Sequence, residues 1–263
     1  MTPSSRLLAS LALAAIAAAG LGCAATGAGK GASGARGPIV VVAGATGGTG
    51  QEAVRQALAR GLAVRVLVRN EDAARPLLGD RVQYAVGNVR DTAVVAKAVK
   101  GATYVISALG SNSQRDPDNK PEFIDYGGVK NLVEASKAAG VKQFVLVSSM
   151  GVTQPDHPLN KMFDNILVWK LKGEDVLRAS GVPYTVVRPG GLRNAPVGQT
   201  ALTALQGDPK VSGQISRADV AAVCVAALGN PAATGKTFEV IGADGAPSSD
   251  WTAFFAGLRT DGR

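Results

Sequence analysis

The sequence predicts an α/β fold: a doubly wound, mostly parallel sheet with helices on both faces. Three observations carry this. Short apolar, β-branched runs alternate with amphipathic segments from residue 38 onward. The first run, Ile39-Val40-Val41-Val42-Ala43, is apolar throughout, as a strand covered on both faces must be. It leads directly into Gly44-Ala45-Thr46-Gly47-Gly48-Thr49-Gly50, a glycine-spaced turn at the head of a helix.

The elements follow in order. Residues 51–60 form a helix with Val54, Ala57 and Leu58 on one side, and 64–68 the second strand. Strand 82–86 precedes a helix over 91–99 that Asp91 opens as a cap. Strand 104–106 precedes a helix over 126–139 that stops at Gly140. Strand 144–147 is followed by a long helix over 165–180, stopped by Gly181, and then by strand 184–187. A helix capped by Ser216 spans 216–228, and a strand over 237–241 and a helix over 250–258 complete the array. Residues 191–209 show no clear period and are assigned to a small substrate-side subdomain. Regular alternation of this kind is the pattern of a Rossmann domain.

Composition narrows the function. The chain has 263 residues, one His and two Cys, too few for a multi-histidine metal site, a four-cysteine zinc site or a disulfide scaffold. No metal site is expected. Of the formal +8 charge, Arg6, Lys30 and Arg36 supply three in residues 1–37, which hold no acid; this leaves +5 for residues 38–263. That modest, spread excess suits an anionic ligand and argues against nucleic acid as a partner.

Residues 1–22 read as a signal peptide: Arg6, then an apolar run from Leu7 to Ala19, too short for a permanent span. Gly20-Leu21-Gly22-Cys23 resembles a bacterial lipoprotein box, so a lipidated Cys23 could tether the protein to a membrane. Residues 23–37, almost all Ala, Gly, Ser and Thr, form a flexible linker. The expected location is the periplasm or a membrane surface. If the segment is an over-long start or another kind of targeting peptide, the domain is cytoplasmic or lies elsewhere.

The glycine turn has the chemistry of a phosphate loop. Gly44 permits the tight turn, and Gly47 lets the backbone reach a pyrophosphate. Gly50 lets the helix approach the sheet, so that its N-terminal N–H groups face the phosphates. Thr46, Gly48 and Thr49 complete the loop. The second strand ends Val68-Arg69-Asn70. An NAD site usually has Asp or Glu here for the ribose 2′-OH, whereas a guanidinium suits a 2′-phosphate. Glu71 and Asp72 follow slightly late for the ribose role. The expected cofactor is therefore NADP, with NAD the less favoured alternative.

The motifs VVVAGATGGTGQEAVRQAL, VRVLVRN, GNVRD, VISALGS, YGGVKNLVEASKAAGVKQFVLVSSMG, ILVWKLKGEDVLRASGVPYTVVRPGGL and ISRADVAAV run from residue 38 to about 241. Through them the chain resembles the atypical short-chain dehydrogenase/reductases, in the NAD(P)-binding group often called NmrA-like. The resemblance implies a cofactor lined by Asn88, by Ala108, Leu109 and Gly110, by Ser148, and by Pro189 and Gly190. It implies Ser148 and Ser149 near the nicotinamide. It also implies a Tyr-x-x-x-Lys pair on the 165–180 helix, where the ammonium would lower the phenol pKa. Lys170 takes the lysine position, but Ile166 stands four residues before it. Tyr126 and Lys130 have the spacing but precede the serines, so they are read as a coincidence. Lys170, Ser149 and His157, in the loop after the serines, are the candidate catalytic groups. Cys224 lies on an apolar helix face and reads as an inert core thiol. Three functions compete. The first is an NADPH-dependent reductase of a small carbonyl or quinone-type substrate. The second is a non-catalytic redox sensor or partner-binding module. The third is an envelope-anchored assembly protein.

Overall fold

The computed structural model describes residues 37–114, 116–247 and 250–262; the expected signal peptide, Cys23 and nearly all of the linker lie outside them. The strands are β1 (Ile39–Ala43), β2 (Ala63–Val68), β3 (Gln83–Val86), β4 (Tyr104–Ser107), β5 (Gln143–Val147) and β6 (Tyr184–Pro189). Four more complete the set: β7 (Gly191–Arg193), β8 (Ala201–Leu205), β9 (Gln214–Ser216) and β10 (Lys236–Ala243). The helices are α1 (Gly48–Ala59), α2 (Glu71–Leu78), α3 (Thr92–Val99), α4 (Val129–Ala138), α5 (Pro158–Met162), α6 (Ile166–Ala179), α7 (Arg217–Ala227) and α8 (Trp251–Ala256). Among the described residues no helix is long and apolar enough to cross a membrane.

The main sheet has the order β3-β2-β1-β4-β5-β6-β10-β8, parallel except where β8 runs antiparallel to β10. Strand order reverses between β1 and β4, which opens a crevice at their C-terminal ends. Side chains of β1 alternate between two cores. Val40 and Val42 pack with residues of α1 and α7, and Val41 and Ala43 with residues of α3 and α4. The unbroken apolar run of β1 thus serves two faces at once.

Several elements differ from expectation. The first helix begins at Gly48, so the end of the phosphate loop is already helical. Residues Glu71–Leu78 form α2 despite Pro76, and Asn70 caps it by accepting from the Ala73 N–H. Glu71 and Asp72 are therefore first-turn acids that favour the helix N-terminus. The helix expected from Tyr126 starts instead as a π-helical turn, Glu122–Gly128, before α4. Residues 191–209 do not form a separate subdomain: β8 joins the main sheet, and only β7 pairs with β9 in a two-stranded parallel sheet.

A buried ionic network joins α6, β6 and β10, and the end of β5 bonds to it. The Glu174 carboxylate of α6 accepts from Arg188 Nε (3.0 Å) and Nη2 (2.6 Å) of β6, and from Arg178 Nη1 (2.9 Å). Ser148 at the end of β5 donates its hydroxyl to Glu174 as well. Arg188 Nη1 reaches Glu239 of β10 at 3.0 Å. Burial works against the Arg188 charge, yet its bonds to Glu174 and Glu239 hold its pKa above the ordinary value. Burial raises the Glu239 pKa, only partly opposed by Arg188. Cys224 is fully buried, and burial pushes its thiol up to about 12, which fits an inert core residue.

Removing one partner of a buried pair leaves the other charge uncompensated. Glu174→Ala is expected to lower unfolding free energy by about 3–5 kcal/mol, seen as a lower denaturant midpoint. Surface pairs such as Lys130–Glu134, at 3.8 Å, serve as the control and are expected to change stability by less than about 1 kcal/mol.

Candidate functional site

A cleft of about 440 Å³ opens at the C-terminal ends of β1, β2, β3 and β4. Its lining includes Gly44, Thr46, Gly47, Arg69, Asn88, Ala108, Leu109 and Gly110, all expected from the sequence. A wider groove of about 890 Å³ lies at the far ends of α1 and α7, beside Arg60 and Trp251. It is at the wrong end of the strands for a dinucleotide.

The glycines of the loop answer to space. Gly44 has φ +78°, and a Cβ there would stand 2.3 Å from the Ala108 carbonyl oxygen. A Cβ at Gly50 would stand 2.1 Å from the Gly44 oxygen. Thr49 and Gly50 are buried in the first turn of α1, behind the cleft wall. Gly47 and Gly48 remain exposed ahead of it, and that first turn carries no acidic residue. An anion can therefore approach the free N–H groups unopposed. The residues present fit a dinucleotide pyrophosphate.

Arg69 reaches into the cleft from the end of β2, where its Nη1 meets Asp116 Oδ2 at 3.0 Å. Both groups are substantially exposed. Asp116, with Asn112, Asp118 and Asn119, belongs to the loop after β4, which forms one wall of the cleft. These residues were missed in the sequence because the loop has no hydrophobic period; Arg90 joins the lining from the turn after β3. Arg90 also stacks on the Phe123 ring, 4.6 Å from its centroid.

At the other end, Lys170, Ser148, Leu109 and Asp125 line one small crevice. Lys170 Nζ lies 2.7 Å from Asp125 Oδ1, whose side chain is 0% exposed. The other oxygen, Asp125 Oδ2, accepts from the Ser111 N–H at 3.0 Å. Asp125 thereby ties α6 to the loop that follows Gly110. Its π-helical turn packs closely on α6, where a Cβ at Gly173 would stand 2.7 Å from the Asp125 carbonyl oxygen. The sequence marks Lys170 by position but gives no sign of Asp125, 45 residues earlier and within an irregular turn.

The other candidates occupy varied places. Ser149 Oγ donates to the Met150 carbonyl oxygen at 3.0 Å. His157 caps α5, its Nδ1 accepting from the Leu159 N–H at 3.2 Å, and its ring packs over Gly151. It is absent from the described cleft lining. Pro189 ends β6, and Gly190 packs tightly on Gly213 and Ile241; neither lines the cleft. Tyr126 packs against Trp169, with centroids 5.9 Å apart, while Lys130 pairs with Glu134. Ile166 opens α6 after Asp164 and Asn165, both at positive φ. Buried Asn160 holds this entry, accepting from the Leu167 N–H at 3.0 Å.

Fold and cleft together define a dinucleotide-binding α/β protein. The chain belongs to the NAD(P)H-binding family, whose model matches residues 44–231. It is 37% identical over 246 residues to an uncharacterised chloroplastic protein of Arabidopsis thaliana, covering 84% of this chain and 75% of that one. It is 34% identical over 263 residues to sanguinarine reductase of Eschscholzia californica, covering 84% and 96%. Among solved structures, ChuY, an anaerobilin reductase from Escherichia coli O157:H7, superposes with a TM-score of 0.67 at 27% identity, covering 80% of this chain and all of that one. These relationships agree with the resemblance to atypical short-chain reductases.

Two substitutions test the geometry. Gly44→Ala is expected to abolish dinucleotide binding in a fluorescence titration, since its Cβ meets backbone rather than a movable side chain. Asp125→Ala strips the counter-ion from a largely buried lysine, and calorimetry is expected to show a loss of about 3 kcal/mol or more.

Proposed function

We propose that the protein is an NADPH-dependent reductase of a small carbonyl or quinone-type substrate. The observation that carries this is Arg69 at the end of β2, in the same cleft as the Gly44–Gly47 turn and with no acid at the ribose position. Two relatives described as reductases, of sanguinarine and of anaerobilin, support the reaction class.

NADPH, when bound, supplies the hydride. Gly44, Thr46, Gly47 and the start of α1 would hold its pyrophosphate, Arg69 the 2′-phosphate, and Asn88 the adenine side. Ala108, Leu109 and Gly110 would form the wall behind it. Asp125 holds the Lys170 ammonium in place, so Lys170 is positioned as a hydrogen-bond donor. Its task is to hold a ribose hydroxyl or the substrate oxygen. With Ile166 in the tyrosine position, no phenol stands four residues before Lys170. The proton that completes reduction then comes from solvent, which suits acceptors whose reduced form is stable as an anion. Ser149 remains a candidate for orienting the substrate.

The same missing phenol favours a second reading, a non-catalytic NADP-binding redox sensor or partner-binding module. Turnover separates the two: a panel of carbonyls and quinones should oxidise NADPH well above the protein-free rate under the first, and none should under the second. For the N-terminal segment we propose export, with processing at Cys23. Mass spectrometry of the mature N-terminus is expected to find acylated Cys23, and an unmodified terminus elsewhere would overturn it.

Cofactor choice gives a sharper test. Arg69→Ala is expected to weaken NADPH binding at least about tenfold while leaving NADH within about twofold. Asp116→Ala, which frees Arg69 from an exposed pair, is expected to tighten NADPH up to about fivefold. Equal NADPH and NADH affinities in the unaltered protein would count against the NADP assignment.

A further inference from the structure

The phosphate loop carries no charge of its own, since residues 44–50 include neither Lys nor Arg. A guanidinium reaches it from a distant part of the chain. Arg217 is the first residue of α7, directly after the Ser216 cap. Its stem lies across the exposed Gly48: a Cβ at 48 would stand 2.6 Å from Arg217 Cδ and 3.2 Å from Nε. Its Nη1 donates to Asn194 Oδ1 at 2.8 Å and reaches the Leu192 carbonyl oxygen at 3.5 Å.

Both of those partners are neutral. No ion pair among the described residues includes Arg217. The nearby Asp219 is already engaged, accepting from the Gly198 N–H at 2.7 Å and from Ser216 Oγ at 2.7 Å. Arg217 is thus a guanidinium laid over the helix N-terminus, held by an amide and a carbonyl. A planar fork of five donors can exchange a neutral acceptor for a phosphate, because the phosphate brings the opposite charge and can accept from two of its N–H groups at once.

We propose that Arg217 is the counter-charge for the cofactor pyrophosphate. This rests on the cofactor reading above. Arg217 would close the side of the phosphate loop away from Arg69, so the two guanidiniums divide the cofactor's phosphates between them. The anchor at Asn194 sits just after β7, so the same residue links the loop to the small β7–β9 sheet.

The test is a set of titrations on the full chain with NADPH, NADH and adenosine 2′-monophosphate, which lacks a pyrophosphate. Arg217→Gln is expected to raise the Kd of NADPH and NADH by about tenfold each and to leave adenosine 2′-monophosphate within about twofold. Arg69→Ala is expected to do the reverse for NADH and adenosine 2′-monophosphate. Arg217→Lys, which keeps the charge without the fork, should fall between the unaltered protein and Arg217→Gln. Asn194→Ala frees the guanidinium without removing it and should hold or improve NADPH affinity. Unchanged NADPH and NADH affinity in Arg217→Gln overturns the proposal. So does an equal loss with all three ligands, which marks a purely structural residue. An unaltered protein that binds neither dinucleotide overturns the cofactor reading itself, and this proposal with it.

Discussion

The Glu174 carboxylate is the constraint on which the rest of the site depends. It is buried on α6, where its oxygens accept from Arg188 of β6, from Arg178 one turn further along and from Ser148 at the tip of β5. A carboxylate buried in that position needs compensating partners. The compensation comes from neighbouring strands, so the network fixes the azimuth of α6 about its own axis. Lys170 lies one helical turn before Glu174 and on the same face. Orientation of Lys170 toward the small crevice it shares with Ser148 and Leu109 follows from anchoring Glu174 to the sheet.

A second anchoring acts from the opposite side. Asp125 holds the Lys170 ammonium and the Ser111 amide together, so the loop beyond Gly110 and the middle of α6 share one carboxylate. Ser113 adds a bond from that loop to Asp164 at 2.7 Å, just before α6. The Lys170 end is therefore framed by polar ties between segments distant in sequence. The phosphate end is framed instead by backbone contact, with Gly44 and Gly50 admitting approaches that no side chain would allow.

This difference explains what the sequence made legible. Strands announce themselves as apolar runs, and caps such as Asp91 and Ser216 sit where their helices begin, because these signals are local. The phosphate loop is local too, and Arg69 and Asn88 follow at fixed distances from their strands. Asp125, Asp116 and Arg217 act across long sequence separations, and nothing beside them in the chain marks the task. Pro76 concealed α2, since a proline six residues into a segment looks like a stop, yet the Asn70 cap and buried Ala74 and Leu78 sustain the helix. Strand β8 was hidden because it is an edge strand, only partly buried along its whole length. His157, the sole histidine, caps α5 through Nδ1.

The π-helical turn at Glu122–Gly128 changes how this region tolerates length variation. A π turn holds one more residue per hydrogen-bonded loop than an α turn. Losing a single residue there would let the backbone relax into a regular helix continuous with α4, and the residues on either side would keep nearly the same faces, since five π steps and four α steps both close about one turn. Relaxation to α geometry without that loss would instead turn the residues before it by about 100° relative to those after it. Asp125 would then leave the ammonium it faces, while the core positions of α4 stayed in place. The extra residue acts as a phase setting between two helical faces, one serving the core and the other the crevice that holds Lys170. Fold and site can therefore diverge here through backbone phase alone, without any substitution in either.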